Sequence, residues 1–459
     1  MARSSDREIL RLAVPALLAL VAEPLFLLSD AAIVGHLGTT PLAGLGIAAV
    51  VLQTVVGLCV FLAYGTTASV ARHVGAGDLR GALAQGVDGL WLAVGIGLVA
   101  TVLGVALTDP LVAAFGAGEQ VHDQATTYLR IAFLGTVPLL VMLAATGVLR
   151  GLQDTRTPLV VAVAGNALNV LLNLLLVYGV AGVGGLSFDG WGIAGSALGS
   201  VLAQVASAAA LLVVVVRGAR REGAPLRPDL PGIRAAAHAA VSLVVRTLTL
   251  RAALLVTTYA VTLGATDAAG QAVDLATHQL ALTLWTFLAF ALDALAIAAQ
   301  AITGRYLGAG DVAGTRAVTR RMVQWGVMSG VVTGMLLALA SPWLGALFTP
   351  DAAVRDLLVP VLLVAALGQP VAGVVFVLDG VLIGAGDGPY LARGGVITLV
   401  AYAPLALVAA WLSAGLVAVW VLFTVVFMGT RLAVLVHRAR GDAWLVTGTR
   451  GARAVPDPA

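Results

Sequence analysis

Twelve apolar stretches, each long enough to cross a bilayer, divide this 459-residue chain and decide its environment before any motif is considered. They lie near residues 9–34, 44–70, 87–107, 126–149, 158–180 and 191–216, and then near 239–263, 276–302, 316–340, 353–383, 394–411 and 415–436. A hydrocarbon core about 30 Å thick needs roughly 20 apolar residues in a helix. Backbone N–H and C=O groups find no partner in lipid, so each stretch is expected to satisfy its own as an α-helix. With 60% hydrophobic and only 11% charged residues, against roughly 25% charged in soluble domains, the chain has too little charge for a water-facing surface. The expected fold class is an all-α integral membrane protein with twelve transmembrane helices.

Between the sixth and seventh stretches, residues 217–234 hold five Arg and three Pro and read as a linker. The plan is six helices, a linker and six more. Two motif pairs support it. Arg72-His-Val-Gly-Ala-Gly-Asp78 recurs as Arg305-Tyr-Leu-Gly-Ala-Gly-Asp311, and Gly147-Val-Leu-Arg-Gly-Leu-Gln-Asp154 as Gly380-Val-Leu-Ile-Gly-Ala-Gly-Asp387. Both offsets are 233, from 311 − 78 and 387 − 154. Six helices return the chain to the side it left, so the halves share one orientation and are expected to relate by a pseudo-two-fold axis along the membrane normal, with the substrate path between them. The expected boundaries are an N-terminal six-helix lobe at 1–216, a cytoplasmic linker at 217–238, a C-terminal six-helix lobe at 239–437 and a cytoplasmic tail without fixed structure at 438–459.

Every one of the 26 basic residues is Arg, and 22 of them fall in alternate loops, the linker and the two ends. By the positive-inside rule both termini and the linker are expected in the cytoplasm. The net charge of +3 therefore reflects topology, and no nucleic-acid partner is expected. The absence of Lys excludes a Walker lysine, and with it an ATP-driven pump, as well as a lysine nucleophile or Schiff base. A single Cys59 and six scattered His exclude an internal disulfide and a thiolate metal cage. No cofactor and no metal centre are expected, and no cluster of acids, His or Cys at one membrane face suggests an enzyme.

A carboxylate near mid-membrane is disfavoured by roughly 2.5–3.5 kcal/mol on insertion scales, so each one needs a partner or a purpose. Asp30 lies inside the first stretch, with apolar Ala31 to Val34 still following it, six residues after Pro24, which removes a backbone hydrogen bond and favours a hinge. An acid near a bend suits a switch driven by protonation; an aspartate reaching lipid headgroups is the structural alternative. The chain's three Asn, Asn166, Asn169 and Asn173, all lie in the fifth stretch, at about 0°, 300° and 340° around a helix turning about 100° per residue. That narrow face must turn inward, either as amides that join helices or as part of a site. In the sixth stretch Ser196, Ser200 and Gln204 recur every four residues. With Asp30 these are expected to enclose a polar pocket within the first half. In the second half Asp293 and Gln300 share a helix face, Asp379 lies in the tenth stretch, and the seventh carries Arg246 and Arg251. A pair between Arg251 and Asp293 or Asp379 is expected, serving structure or transport.

Two segments carry a family resemblance: Pro24-Leu-Phe-Leu-Leu-Ser-Asp30-Ala-Ala-Ile-Val-Gly-His-Leu-Gly38, and Ala291-Leu-Asp-Ala-Leu-Ala-Ile-Ala-Ala-Gln300. With twelve helices in two parallel halves, the chain resembles the multidrug and toxic compound extrusion (MATE) transporters, in their DinF-like branch. The resemblance implies a V-shaped pair of six-helix lobes, alternating access, and export of amphipathic or cationic compounds against inward H⁺ or Na⁺. It implies a proton-coupling role for Asp30, a network with Asn169 and, at a Thr position of the family, Ser200. Asn173 stands where archaeal relatives have a second aspartate, and the seventh helix lacks a glutamate of other branches. H⁺ is therefore the expected coupling ion, with Na⁺ at Asp30 and Asn169 as the alternative. The implied setting is a bacterial cytoplasmic membrane, with a monomer meeting small amphipathic substrates and membrane lipids. A flippase for lipids or lipid-linked precursors, of the same superfamily, is the competing reading.

Overall fold

The computed structural model describes residues 2–183, 186–265 and 267–449. The chain begins with α1 (Ala2–Gly35), α2 (Thr39–Cys59), α3 (Phe61–Gly75), α4 (Leu79–Ala106), the short α5 (Thr108–Ala113), α6 (Glu119–Leu134), α7 (Thr136–Gly151) and α8 (Arg156–Tyr178). After β1 (Gly179–Val183) and β2 (Leu186–Asp189) come α9 (Gly192–Arg221), α10 (Leu230–Gly264), α11 (Ala268–Gly308), α12 (Val312–Phe348), α13 (Ala352–Gly384) and α14 (Gly388–Trp411). The last stretch is α15 (Leu416–Leu422), a π-helical turn at Phe423–Phe427 and α16 (Met428–Arg440). Among the described residues eleven spans are long and apolar enough to cross a membrane, α2–α3 and α15–α16 each counting as one, and the pair α6–α7, bent by 50°, makes a twelfth. The bend has a local cause. Pro138 stands in the first turn of α7 and has no N–H to offer the Leu134 carbonyl, so the helix restarts after Gly135.

The expectation of helices alone needs one addition. β1 and β2 pair as an antiparallel hairpin, Gly179 opposite Asp189, in the connection between α8 and α9. The polar stretch read as a linker is helical through Arg221 and again from Leu230, which leaves residues 222–229 between the helices. Trp91 donates its indole N–H to the Leu226 carbonyl at 3.1 Å, so this connection is held against α4.

The 233-residue repeat has a concrete backbone meaning. Gly77, Gly310 and Gly386 end their helices at φ of 76°, 74° and 75°, a conformation glycine adopts without steric cost. The aspartate that follows starts the next helix: Asp78 accepts from the Gly81 N–H at 2.8 Å and Asp311 from the Gly314 N–H at 2.7 Å. Asp154 does the same with the N–H groups of Arg156 and Thr157, each at 3.0 Å. At the remaining site the left-handed position is filled by Gln153, at φ 65°.

The chain divides into two compact units, one of Leu18–Ala240 and one of the residues through Leu17 together with Val241 onward. The unit boundary inside α1 falls two residues after Pro15, while α1 remains helical through both Pro15 and Pro24. In Leu18–Ala240, helices meet at small residues, as they commonly do in lipid. A Cβ on Gly195 would lie 2.3 Å from the Leu176 carbonyl oxygen, and one on Gly199 would lie 2.3 Å from Asn173 Oδ1, so α9 can approach α8 only with glycine there. Thr67 donates its hydroxyl to the Gly147 carbonyl at 3.0 Å, joining α3 to α7.

In the other unit α12 and α13 cross at facing glycines. A Cβ on Gly373 would stand 2.0 Å from the Gly326 carbonyl oxygen, and Gly330 and Gly334 repeat the contact along α12. The amino-terminal turns of α1 are held here: Asp6 accepts two bonds from Arg321, at 2.6 and 2.8 Å, and one from the Trp325 indole at 2.8 Å, while Glu8 pairs with Arg305. The tail differs from expectation, because residues 441–449 are docked. Trp444 is 1% exposed, Asp442 pairs with Arg316, and the Gly448 N–H donates to the Leu307 carbonyl at 3.0 Å. A single buried indole anchors this segment, too small a signal for composition to reveal. Residues 450–459 lie outside the described residues.

Two stability outcomes follow. Gly373→Val is expected to lower the thermal midpoint in detergent, by overpacking worth about 1–3 kcal/mol or more. Gln153→Gly is expected to raise it, since a non-glycine left-handed residue costs about 1–2 kcal/mol, less about 0.5–1 kcal/mol of added unfolded-state freedom.

Candidate functional site

The polar pocket forms within Leu18–Ala240, from α1, α8 and α9. Asp30 is 2% exposed, Asn169 and Asn173 are 0% exposed and Ser200 is 4% exposed. Asn173 donates its amide N–H to Asp30 Oδ1 at 2.5 Å. Ser200 donates its hydroxyl to Asp30 Oδ2 at 3.1 Å, and itself accepts from Asn169 Nδ2 at 3.0 Å. The carboxylate thus ends a short chain of neutral donors. α1 and α8 run side by side in the same direction, since Asn166, two turns before Asn173, donates to the Ala22 carbonyl at 2.7 Å, and the Tyr178 hydroxyl donates to the Ile33 carbonyl at 2.7 Å. Asn166 therefore ties α8 to α1 just before Pro24.

Two further features complete the pocket. Ser196 is buried beside these groups on α9, and its Oγ, like Asn169 Oδ1 and Asn173 Oδ1, has no hydrogen-bond partner. Tyr128 of α6, 5% exposed, places its phenol within reach of Ser200 and Asp30. Tyr128 was not legible as a site residue; the signal available was the run of polar side chains Gln124, Thr126 and Thr127 just before it on α6. Gln204 lies at the edge of the site, half-buried, in the space that a Cβ on Gly135 would need. Chemically, a buried carboxylate with neutral donors and nearby unpartnered oxygens can take up a proton or a small cation.

In the other unit Asp379 has a different environment. It is clamped by two guanidinium groups: Arg246 Nε lies 3.1 Å from Oδ1 while its Nη2 bonds Oδ2, and Arg431 Nη2 lies 3.0 Å from Oδ2. This corrects the expected pair. Arg251 is exposed and joins neither Asp379 nor Asp293. Five residues separate Arg246 from Arg251, which turns them about 140° apart on α10, so only one can face α13. Arg431, an arginine near the carboxyl-terminal end, stands in the first turn of α16 and is 9% exposed. The apolar run Leu432–Val436 that follows it was the available signal. On α11, Asp293 is half-buried and Gln300 is 2% exposed, with its backbone packed against Gly384 of α13.

The repeat shows what replaces the polar pocket. At the offset of 233, Asn169 corresponds to Tyr402, since 402 − 169 = 233. Tyr402 is fully buried and shares a 2.7 Å hydrogen bond with Thr257 of α10. Phe423 and Phe427 of the π-helical turn stack at 4.9 Å beside it. The corresponding place is therefore aromatic.

The MatE family model matches residues 15–175 and 250–412, most of both halves. Protein DETOXIFICATION 44, chloroplastic, of Arabidopsis thaliana is 33% identical over 405 residues, 85% of this chain and 74% of that protein. DNA damage-inducible protein F of Escherichia coli strain K12 is 28% identical over 449 residues, 96% of this chain and 94% of its own. Among solved structures, a MOP superfamily transporter from Pyrococcus furiosus superposes with a TM-score of 0.83 at 20% identity over 96% of each chain. The Vibrio cholerae MATE transporter VcmN in a bent form gives 0.82 at 19% identity over 97% of this chain and 99% of its own. The structures share the fold and the family match extends through both halves: the chain belongs to the MatE family and is a multi-pass membrane transporter of the multidrug and toxic-compound extrusion type.

Proposed function

We propose that this protein is an antiporter of the cytoplasmic membrane that exports amphipathic and cationic compounds by alternating access, coupled to inward movement of H⁺ through Asp30. The observation that carries the reading is the contrast between two buried carboxylates. Asp379 is neutralised by Arg246 and Arg431, so it has no need of a proton. Asp30 receives hydrogen bonds from Asn173 and Ser200, which carry no charge. It can therefore exist with or without a proton, and the two states differ by a full charge in a low-dielectric site.

Ionised, Asp30 accepts the bonds of Asn173 and Ser200 and favours a hydrated pocket. Protonated, it carries a hydrogen of its own, no longer attracts a cation, and favours a drier packing of α1 against α8 and α9. Such an equilibrium moves only as far as the proton and the cargo differ in affinity for its states. Na⁺ remains the second reading on one observation: the free Oδ1 atoms of Asn169 and Asn173 are oxygen ligands of the kind a hard cation uses. The arginine-rich loops support cytoplasmic termini, and the likeness to DNA damage-inducible protein F supports a bacterial inner membrane. Two six-helix halves in one chain supply both lobes, so the unit of transport is a monomer, in contact with membrane lipids and small amphipathic cargo.

Asp30→Asn, which retains shape and hydrogen-bonding capacity, is expected to abolish export driven by a pH gradient in proteoliposomes while leaving the thermal midpoint near that of the parent. Coupled export by this variant would remove Asp30 from the mechanism, and export that follows an imposed Na⁺ gradient in the parent would reassign the ion. Asp379→Asn is expected to do the reverse in stability: it strands two buried guanidinium groups, a change of about 3–5 kcal/mol, visible as a lower midpoint and yield.

A further inference from the structure

Among the described residues, the carboxylates inside the spans fall into two groups. Asp30, Asp88 and Asp379 are buried and Asp6, Glu8, Asp274 and Asp293 are half-buried; of the exposed ones, Glu119, Asp123 and Asp356 lie within about one turn of a helix start, and Glu23 alone lies far from either end of its span. Glu23 stands 18 residues after the start of the Ser5–Gly35 span and 12 before its end, so at about 1.5 Å per residue it is about 18 Å from the nearer end. No hydrogen bond or ion pair holds it. An exposed carboxylate at that depth faces either hydrocarbon or water, and hydrocarbon is strongly disfavoured. Its open side is therefore wet, which at mid-membrane means the wall of an aqueous path.

Its placement on α1 adds the second part of the argument. Glu23 and Asp30 are seven residues apart, so they share one helix face about 10 Å apart along the axis. α8 lies along this face, with Asn166 bonded to the Ala22 carbonyl next to Glu23, and Asn173 bonded to Asp30. A continuous polar strip thus runs from an exposed carboxylate to a buried one. Phe26, half-buried and three residues beyond Glu23, adds an aromatic face beside the acid. A carboxylate next to an aromatic ring suits an organic cation, whose charge is met by the acid and whose body is met by the ring.

We infer that Glu23 binds the cationic centre of the cargo and sets a preference for cations, leaving Asp30 to carry the coupling proton. The two tasks then sit on two carboxylates at opposite ends of one strip. This assignment rests on the reading of the chain as an exporter of amphipathic compounds, and names the residue that selects among them.

Two measurements test it. In a Cys59→Ala background, where no other thiol exists, Glu23→Cys in reconstituted membranes is expected to react with the water-soluble, positively charged reagent methanethiosulfonate ethyltrimethylammonium. A thiol that reacts only after denaturation would show that position 23 faces lipid or packed protein and would overturn the inference. In transport, Glu23→Gln is expected to lower the ratio of kcat/KM for tetraphenylphosphonium over that for an uncharged amphiphile of similar size by tenfold or more, mainly through KM, and Glu23→Asp is expected to recover part of it. An unchanged ratio overturns the role in selectivity. Should the parent fail to respond to a pH gradient, the coupling proposal fails, while labelling of position 23 and the kcat/KM ratio of Glu23→Gln still decide the role of Glu23.

Discussion

Hydrocarbon offers no partner to a charged side chain, so each carboxylate within the spans must find counter-charge, hydrogen-bond donors or water inside the protein. The chain meets this constraint in distinct ways. Asp379 lies between two arginines, one from α10 and one from α16, and becomes part of the packing of its unit. Asp30 is surrounded by amides and a hydroxyl that satisfy its oxygens without cancelling its charge. Glu23 keeps an open surface. Only the last two can change state without dismantling the bundle, which is why chemistry is assigned to α1 and structure to α13.

The same constraint shapes the backbone. Helices in lipid gain little from burying apolar side chains against one another, because lipid is as apolar as leucine, and association depends on close contact. Gly195 and Gly199 bring α9 against α8 at the level of Asn173. That closeness is what lets one serine of α9 reach Asp30 while accepting from an amide of α8. The glycines and the polar residues are parts of one device: a bulky side chain at Gly199 would occupy the position of the Asn173 amide itself.

Much of this was legible in the sequence because scarcity made it so. Spans, repeat and the grouping of Asp30 with Asn169, Asn173 and Ser200 follow from long apolar runs interrupted by few polar residues. Features that depend on angle or on small local signals were not legible. Arg246 and Arg251 are indistinguishable by composition, and the 140° between them decided which one meets Asp379. The break between α2 and α3 at Val60 has neither proline nor a positive φ to announce it. The docked tail depends on Trp444 finding a cavity that only the folded helices create. Glu23 beside Pro24 was not legible as a site either, because its meaning lies in its exposure.

The repeat sharpens the asymmetry between halves. The turns at Gly77-Asp78 and Gly310-Asp311 use the same glycine–aspartate geometry, so the two backbones solve the same topological problem there. Their polar content has diverged: an amide network with a carboxylate in one half, and Tyr402, Thr257 and a stacked phenylalanine pair at the corresponding place in the other. A phenol–hydroxyl pair set among aromatic rings exchanges no charge with its surroundings near neutral pH. A transport cycle driven by a proton needs only one bistable element, and a second titrating carboxylate at the corresponding place would demand a second ion per cycle. With Asp379 held by two arginines and the corresponding place filled by aromatic rings, the coupling role proposed for Asp30 has no counterpart at the corresponding place in the other half.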